Sequence, residues 1–82
     1  MSEYVHEAVF EYQYVGKQTA RIVADSIRPE VGEIEGDRTR AALRQEGTNL
    51  IVTVRAKDRT ALRAGINTWG SLVAVAERLA GA

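Results

Sequence analysis

The chain contains no cysteine, which excludes a disulfide framework and any thiolate metal site. It has one histidine and one proline. His6 falls in phase with the inward side of a strand, where a half-buried imidazole is commoner than a catalyst. Pro29 marks a place where a helix has to stop. No apolar run approaches the roughly 18 residues of a membrane span, and MSEYVHEAVF lacks the basic and apolar regions of a signal peptide. A cytoplasmic protein is the expectation. Net charge is zero, so a wholly basic surface for coating nucleic acid is absent as well.

What is present fits one domain, residues 1–82. A chain of this size buries only about 60% of its unfolded surface and needs reinforcement. Without disulfides or metal, that reinforcement comes from self-association or a partner. The charges are divided unevenly. Residues 1–35 carry seven acids and three bases, and residues 36–82 carry four acids and eight bases, so the halves stand at −4 and +4. Such polarity favours two-fold or head-to-tail association.

Tyr4 to Tyr12 alternates, with Tyr4, His6, Ala8, Phe10 and Tyr12 directed inward and Val5, Glu7, Val9 and Glu11 outward. From Val15 the period becomes helical, with Val15, Thr19, Ile22, Val23, Ser26 and Ile27 on one face. That helix ends near Ile27, ahead of Arg28-Pro29. Residues 30–37, EVGEIEGD, read as a loop. Arg38 to Gln45 alternates again, Glu46-Gly47 turns, and Leu50 to Ala56 returns as a β-branched strand. With Leu43 facing Leu50, Leu50, Val52 and Val54 share the core side. The expected fold is α+β, in the order β-α-β-β-α. It has a three-stranded antiparallel sheet of order 1-3-2 and two helices on one face. The open face would carry Glu7 and Glu11 along one edge and Arg38, Arg40 and Arg44 along the other, self-complementary under a two-fold rotation.

Asp58 through Leu79 reads as one long helix capped by Asp58 and stopped by Gly81. Ala61, Leu62, Ile66, Trp69, Leu72, Val73, Ala76 and Leu79 form its core stripe. Beside it runs a narrow line of Ala64, Thr68, Ser71 and Val75, where another helix backbone can approach closely. Gly65 to Ala76 holds no charged side chain, which is unusual for a helix half-turned to water. Docking of a partner helix explains this better than solvation.

Chemistry is poorly represented. Ser2, Ser26 and Ser71 lie in no nucleophile signature, and neither a P-loop nor a dinucleotide fingerprint occurs. Glu30, Glu33, Glu35 and Asp37 fit no calcium loop and read as a solvated acidic loop. No enzymatic activity, cofactor or metal is expected. An alternative is a small autonomous RNA-binding module in which Arg38, Arg40, Arg44 and Arg55 meet phosphates. Against it, the aromatic residues are in phase with the core, whereas an RNA-binding sheet stacks bases on exposed rings.

The order FEY (10–12), SIRPE (26–30), a basic hairpin and AKDRTALRAGINT (56–68) resembles the small dimerising subunit of the KEOPS complex, the group that includes the CTAG/LAGE-like proteins. The resemblance spans nearly the whole chain and rests on structural rather than catalytic signatures. It implies a homodimer of the archaeal type. It also implies a non-catalytic scaffold role in threonylcarbamoyl-adenosine modification of tRNA, with a secondary link to transcription. The helices would dock two helices of the catalytic ASKHA-fold subunit. Of the docking residues, the family motif carries over Ala64, Asn67 and Thr68. The helical wheel adds Ala20, Ala24 and Ile27 on the first helix and Ser71 and Val75 on the second. Glu7, Glu11, Arg38, Arg40, Arg44, Ile51 and Arg55 would serve the dimer contact or an auxiliary contact with tRNA.

Overall fold

A computed structural model describes residues 4–31 and 38–81. The elements are β1 (His6–Gln13), α1 (Lys17–Ile27), a 3-10 turn (Arg28–Glu30), β2 (Thr39–Glu46), β3 (Asn49–Ala56) and α2 (Arg59–Ala80). The sheet is antiparallel with order β1-β3-β2, as the sequence pattern predicts. Residues 32–37 of the expected loop, with Glu33, Glu35 and Asp37, lie outside the described residues.

The central strand carries the core. Leu50, Val52, Val54 and Ala56 are each no more than 1% exposed, and burial of a Val or Leu side chain contributes about 1.5–3 kcal/mol. Trp69, Val73 and Ala76 of α2 and Val23, Ala24 and Ile27 of α1 close over them, with Phe10, Tyr12, Ala41 and Leu43 at the margins. Inward and outward positions alternate along β1 and β2, which places both helices on one face and leaves the other to the outward residues.

The hairpin register differs from the expected one by two residues. Leu43 stands opposite Val52, and Gln45 opposite Leu50. The turn is Gly47-Thr48 rather than Glu46-Gly47, because Gly47 at φ 63° takes the left-handed conformation that a tight hairpin requires. A slip of two residues preserves the face of every side chain, so the core assignment stands.

The first helix is rotated from its expected face. Its buried residues are Ala20, Val23, Ala24 and Ile27, whereas Ile22 is 44% exposed and Val15 lies fully outside. The small Ala20 and Ala24 let α1 approach its neighbours closely, so they line the contact that larger side chains had been expected to make. Val15 precedes the helix and takes no place on its wheel.

The second helix begins and ends as expected. Asp58 accepts a hydrogen bond from the Ala61 amide at 2.8 Å, and Gly81 closes the helix at φ 74°. Leu79 is a correction: it is 80% exposed rather than in the core. On the wheel it falls with Thr68 and Val75 on the flank of the stripe, not with Trp69 and Val73. Gly65 faces the sheet, and a Cβ there would stand 2.8 Å from Val54 Cγ1. Its lack of a side chain sets how closely α2 lies on β3.

Candidate functional site

Two surfaces emerge, one on each side of the sheet. On the helical side, Ala64, Ser71 and Val75 are exposed and Thr68 is half-buried. They form the small-residue line that the sequence predicts, and Leu79 extends it by one turn. Asn67 is also exposed but lies further round the helix from this line. The residues expected from α1 are not part of the surface: Ala20, Ala24 and Ile27 are 0%, 0% and 2% exposed. Their faces are already used within the protomer. Ile22 is the apolar side chain that α1 does expose, and the sequence reading had placed it inside. The signal that separates the two sets is the i, i+4 pair of alanines, which favours close packing.

Where α2 ends, Tyr14 donates a hydrogen bond to Glu77 Oε2 at 2.7 Å. Burial, followed by this bond and the Glu77 charge, holds the Tyr14 phenol well above its ordinary range. Tyr12 is also raised, mainly by burial and secondarily by the same charge. The contact ties the last turns of α2 to the end of β1, and so holds the line from Ala64 to Leu79 against the body of the domain.

The opposite side of the sheet is arranged in rows set by the ladder. Glu7, Arg55 and Arg40 form one row, Val9, Thr53 and Ala42 the next, and Glu11, Ile51 and Arg44 a third. Many of the charges are paired within the protomer. Arg55 Nε donates to Glu7 at 2.8 Å, Arg44 pairs with Glu46 at 3.1 Å, and Asn49 donates to Glu11 at 3.1 Å. Arg38 lies at the end of the sheet in an ion pair with the capping Asp58. The uncharged centre of the face consists of Val9, 57% exposed, with Thr53, Ala42 and Ile51.

Tyr4 departs from the expected alternation. The ladder starts at His6, so the residue two before it is not held to the inward side. Its ring lies 5.4 Å from Arg40 Cζ and 5.7 Å from Lys57 Nζ, beside two cations of the outer face. The sequence reading missed this aromatic, because alternation is enforced only where strands pair.

Among the described residues no helix is long and apolar enough to cross a membrane, and no group of three or more acidic or histidine side chains gathers as a metal site. A model of the family described as transcription factor Pcc1 matches residues 7–80. No protein of curated function matches the chain. Among solved structures, a chain of the Gon7–Pcc1 binary complex superposes with a TM-score of 0.70 and 16% identity, over 93% of this chain and 88% of that one. At that identity the likeness is one of fold.

Proposed function

The chain belongs to the Pcc1 family, and from that premise we propose that it is a non-catalytic, dimerising scaffold subunit of the KEOPS complex. It supports threonylcarbamoyl-adenosine modification of tRNA by docking the catalytic ASKHA-fold subunit on its helices. The observation that carries this reading is the line on α2 formed by the exposed Ala64, Ser71, Val75 and Leu79 with the half-buried Thr68. Val75 and Leu79 are 47% and 80% exposed, and the Gly65–Ala76 stretch carries no charge. Ile22 supplies an apolar side chain from α1. Small residues along this line allow close helix approach, and Val75 and Leu79 supply apolar area to bury. The Gon7–Pcc1 complex shows that a protein of this fold engages a second protein, which is consistent with a binding role.

The test uses the intact chain and the catalytic subunit in a calorimetric titration. Thr68→Arg or Ser71→Arg places a long cation on the docking line and is expected to abolish binding, with the thermal transition retained. Arg63→Gln, on the charged side of the helix, is expected to bind as wild type. Wild-type binding by both arginine variants would show that the partner does not use this face.

The second half of the proposal is a homodimer formed through the outer sheet face. Its uncharged centre is flanked by the acidic β1 edge and the basic β2 edge. A two-fold rotation sets each edge against its opposite, so Glu11 and Arg44 meet their counterparts after exchanging the internal partners described above.

A further inference from the structure

The end of the molecule where α1 begins and α2 stops holds a cleft of about 400 Å³. Gln13, Tyr14, Val15, Thr19, Glu77 and Gly81 line it. The half-buried Glu77 accepts the Tyr14 hydroxyl on Oε2 at 2.7 Å, which leaves its other oxygen open. Among the described residues this hydroxyl is the one partner of the Glu77 carboxylate. Neither Lys17 nor Arg78, the bases of the two helix ends, pairs with it, and the first amides of α1, which lack a side-chain cap, do not reach it. The side chains of Gln13 and Thr19 also have no hydrogen-bond partner among the described residues, and each offers a further acceptor oxygen. Val15 stands at the rim as a fully exposed apolar side chain.

We propose that this cleft receives an arginine or lysine side chain of a partner protein, with its cationic head on Glu77 and its aliphatic stem along Val15. Charge complementarity selects the head. A hydrogen bond between ionised groups is about twice as strong as a neutral one. The open oxygen of Glu77, with Gln13 and Thr19, offers several acceptors to a group that carries several donors. The bare Val15 selects a ligand with a stem, because a long basic side chain covers apolar surface with its methylenes while its head stays polar. A divalent ion is a poor occupant, since one carboxylate falls well short of the roughly six to eight oxygens that calcium takes. The Tyr14 hydroxyl holds the carboxylate in place before the cation arrives, which lowers the ordering cost. Glu77 stands two residues on from Val75, roughly 200° round the helix, so the cleft opens away from the docking line.

The inference is independent of the scaffold reading, because it concerns the isolated chain and the other side of α2. Amide chemical shifts of the intact chain, followed during titration with acetyl-arginine amide and acetyl-lysine amide, test it. At least one is expected to bind at millimolar concentration, with shifts centred on Tyr14, Val15, Thr19 and Glu77. Acetyl-norleucine amide, which keeps the stem without the charge, should not bind. Glu77→Gln keeps an acceptor for Tyr14, and with it the fold. It is expected to weaken binding about 5- to 15-fold, as for a charged hydrogen bond partly open to water. Glu46→Gln, which alters an exposed carboxylate already paired with Arg44, should bind as wild type. Absence of binding by both cationic probes overturns the proposal, as does unchanged affinity in Glu77→Gln or equal binding of the norleucine probe. Tighter binding of putrescine than of either amide would assign the cleft to a free polyamine and overturn it too.

Discussion

Individual residues fix the ends of the elements more than their middles. Asp58 both caps α2 and pairs with Arg38, so one carboxylate joins the helix start to the residue that precedes β2. Tyr14 and Glu77 do the same for the other end of α2. The Tyr14 phenol is raised from its ordinary 10.0, which means the folded state favours the protonated form. The stability it contributes is complete below about pH 10 and is lost as pH rises from there through the higher folded value. Alkaline unfolding followed by circular dichroism should show this loss in the wild type and a smaller one in Tyr14→Phe. At neutral pH the same substitution is expected to cost about 1 kcal/mol, at the low end for a bond to a charged group because the site is partly open to water. A stability identical to wild type across the whole range would show that the Tyr14–Glu77 contact contributes nothing.

At the level of the element, α2 contains two interior glycines with opposite consequences. A helix gains about 1 kcal/mol from Gly→Ala where nothing else changes. At Gly70 nothing besides its chain neighbours and the helix's own backbone lies within 4 Å of the added Cβ, so Gly70→Ala is expected to raise the unfolding midpoint. At Gly65 the Cβ would meet Val54 Cγ1 at 2.8 Å. Val54 is a stiff β-branched residue, 1% exposed, and it cannot turn away cheaply. Gly65→Ala should therefore destabilise by about 1–3 kcal/mol, with part of the loss recovered when it is combined with Val54→Ala. Denaturant titration of the four proteins distinguishes these outcomes. Gly65 faces the sheet beside Ala64 and Thr68, and its role is to bring α2 close to β3. The same contrast of size explains α1, where Ala20 and Ala24 occupy the tight contact and Ile22 is turned outward.

At the scale of the whole molecule, the two sides of the sheet offer two kinds of surface, one apolar and helical, the other banded by charge. In the fold, Glu7 and Glu11 lie on β1 and Arg40 and Arg44 on β2, with β3 between them. Light scattering at micromolar concentration is expected to give twice the 9.0 kDa of one chain. Thr53→Arg, in the middle of the uncharged row, should reduce the mass to that of a monomer without loss of secondary structure. A strictly monomeric wild type would remove the sheet-mediated dimer and leave the helical docking line to be judged alone.

The sequence by itself determined the order of elements, the sheet topology, the inward sides of the paired strands and both caps of α2. Each of these follows from local periodicity or from the special chemistry of Asp, Gly and Pro, which act within a few residues. It also located Ala64, Thr68, Ser71 and Val75, because a lack of charge along a helix is visible without coordinates. Tertiary structure decided the rest. It turned Ala20 and Ala24 inward, since only the packing distance between elements tells whether a small residue lines a contact or a surface. It put Leu79 on the flank of α2, where a wheel drawn from hydrophobicity alone had counted it as core. It placed Tyr4 beside Arg40 and Lys57, residues some 36 and 53 positions away in the chain, because alternation loses its hold where strand pairing stops. The missing cysteines therefore leave a domain held by packing distance, and that distance is a property of the assembled fold.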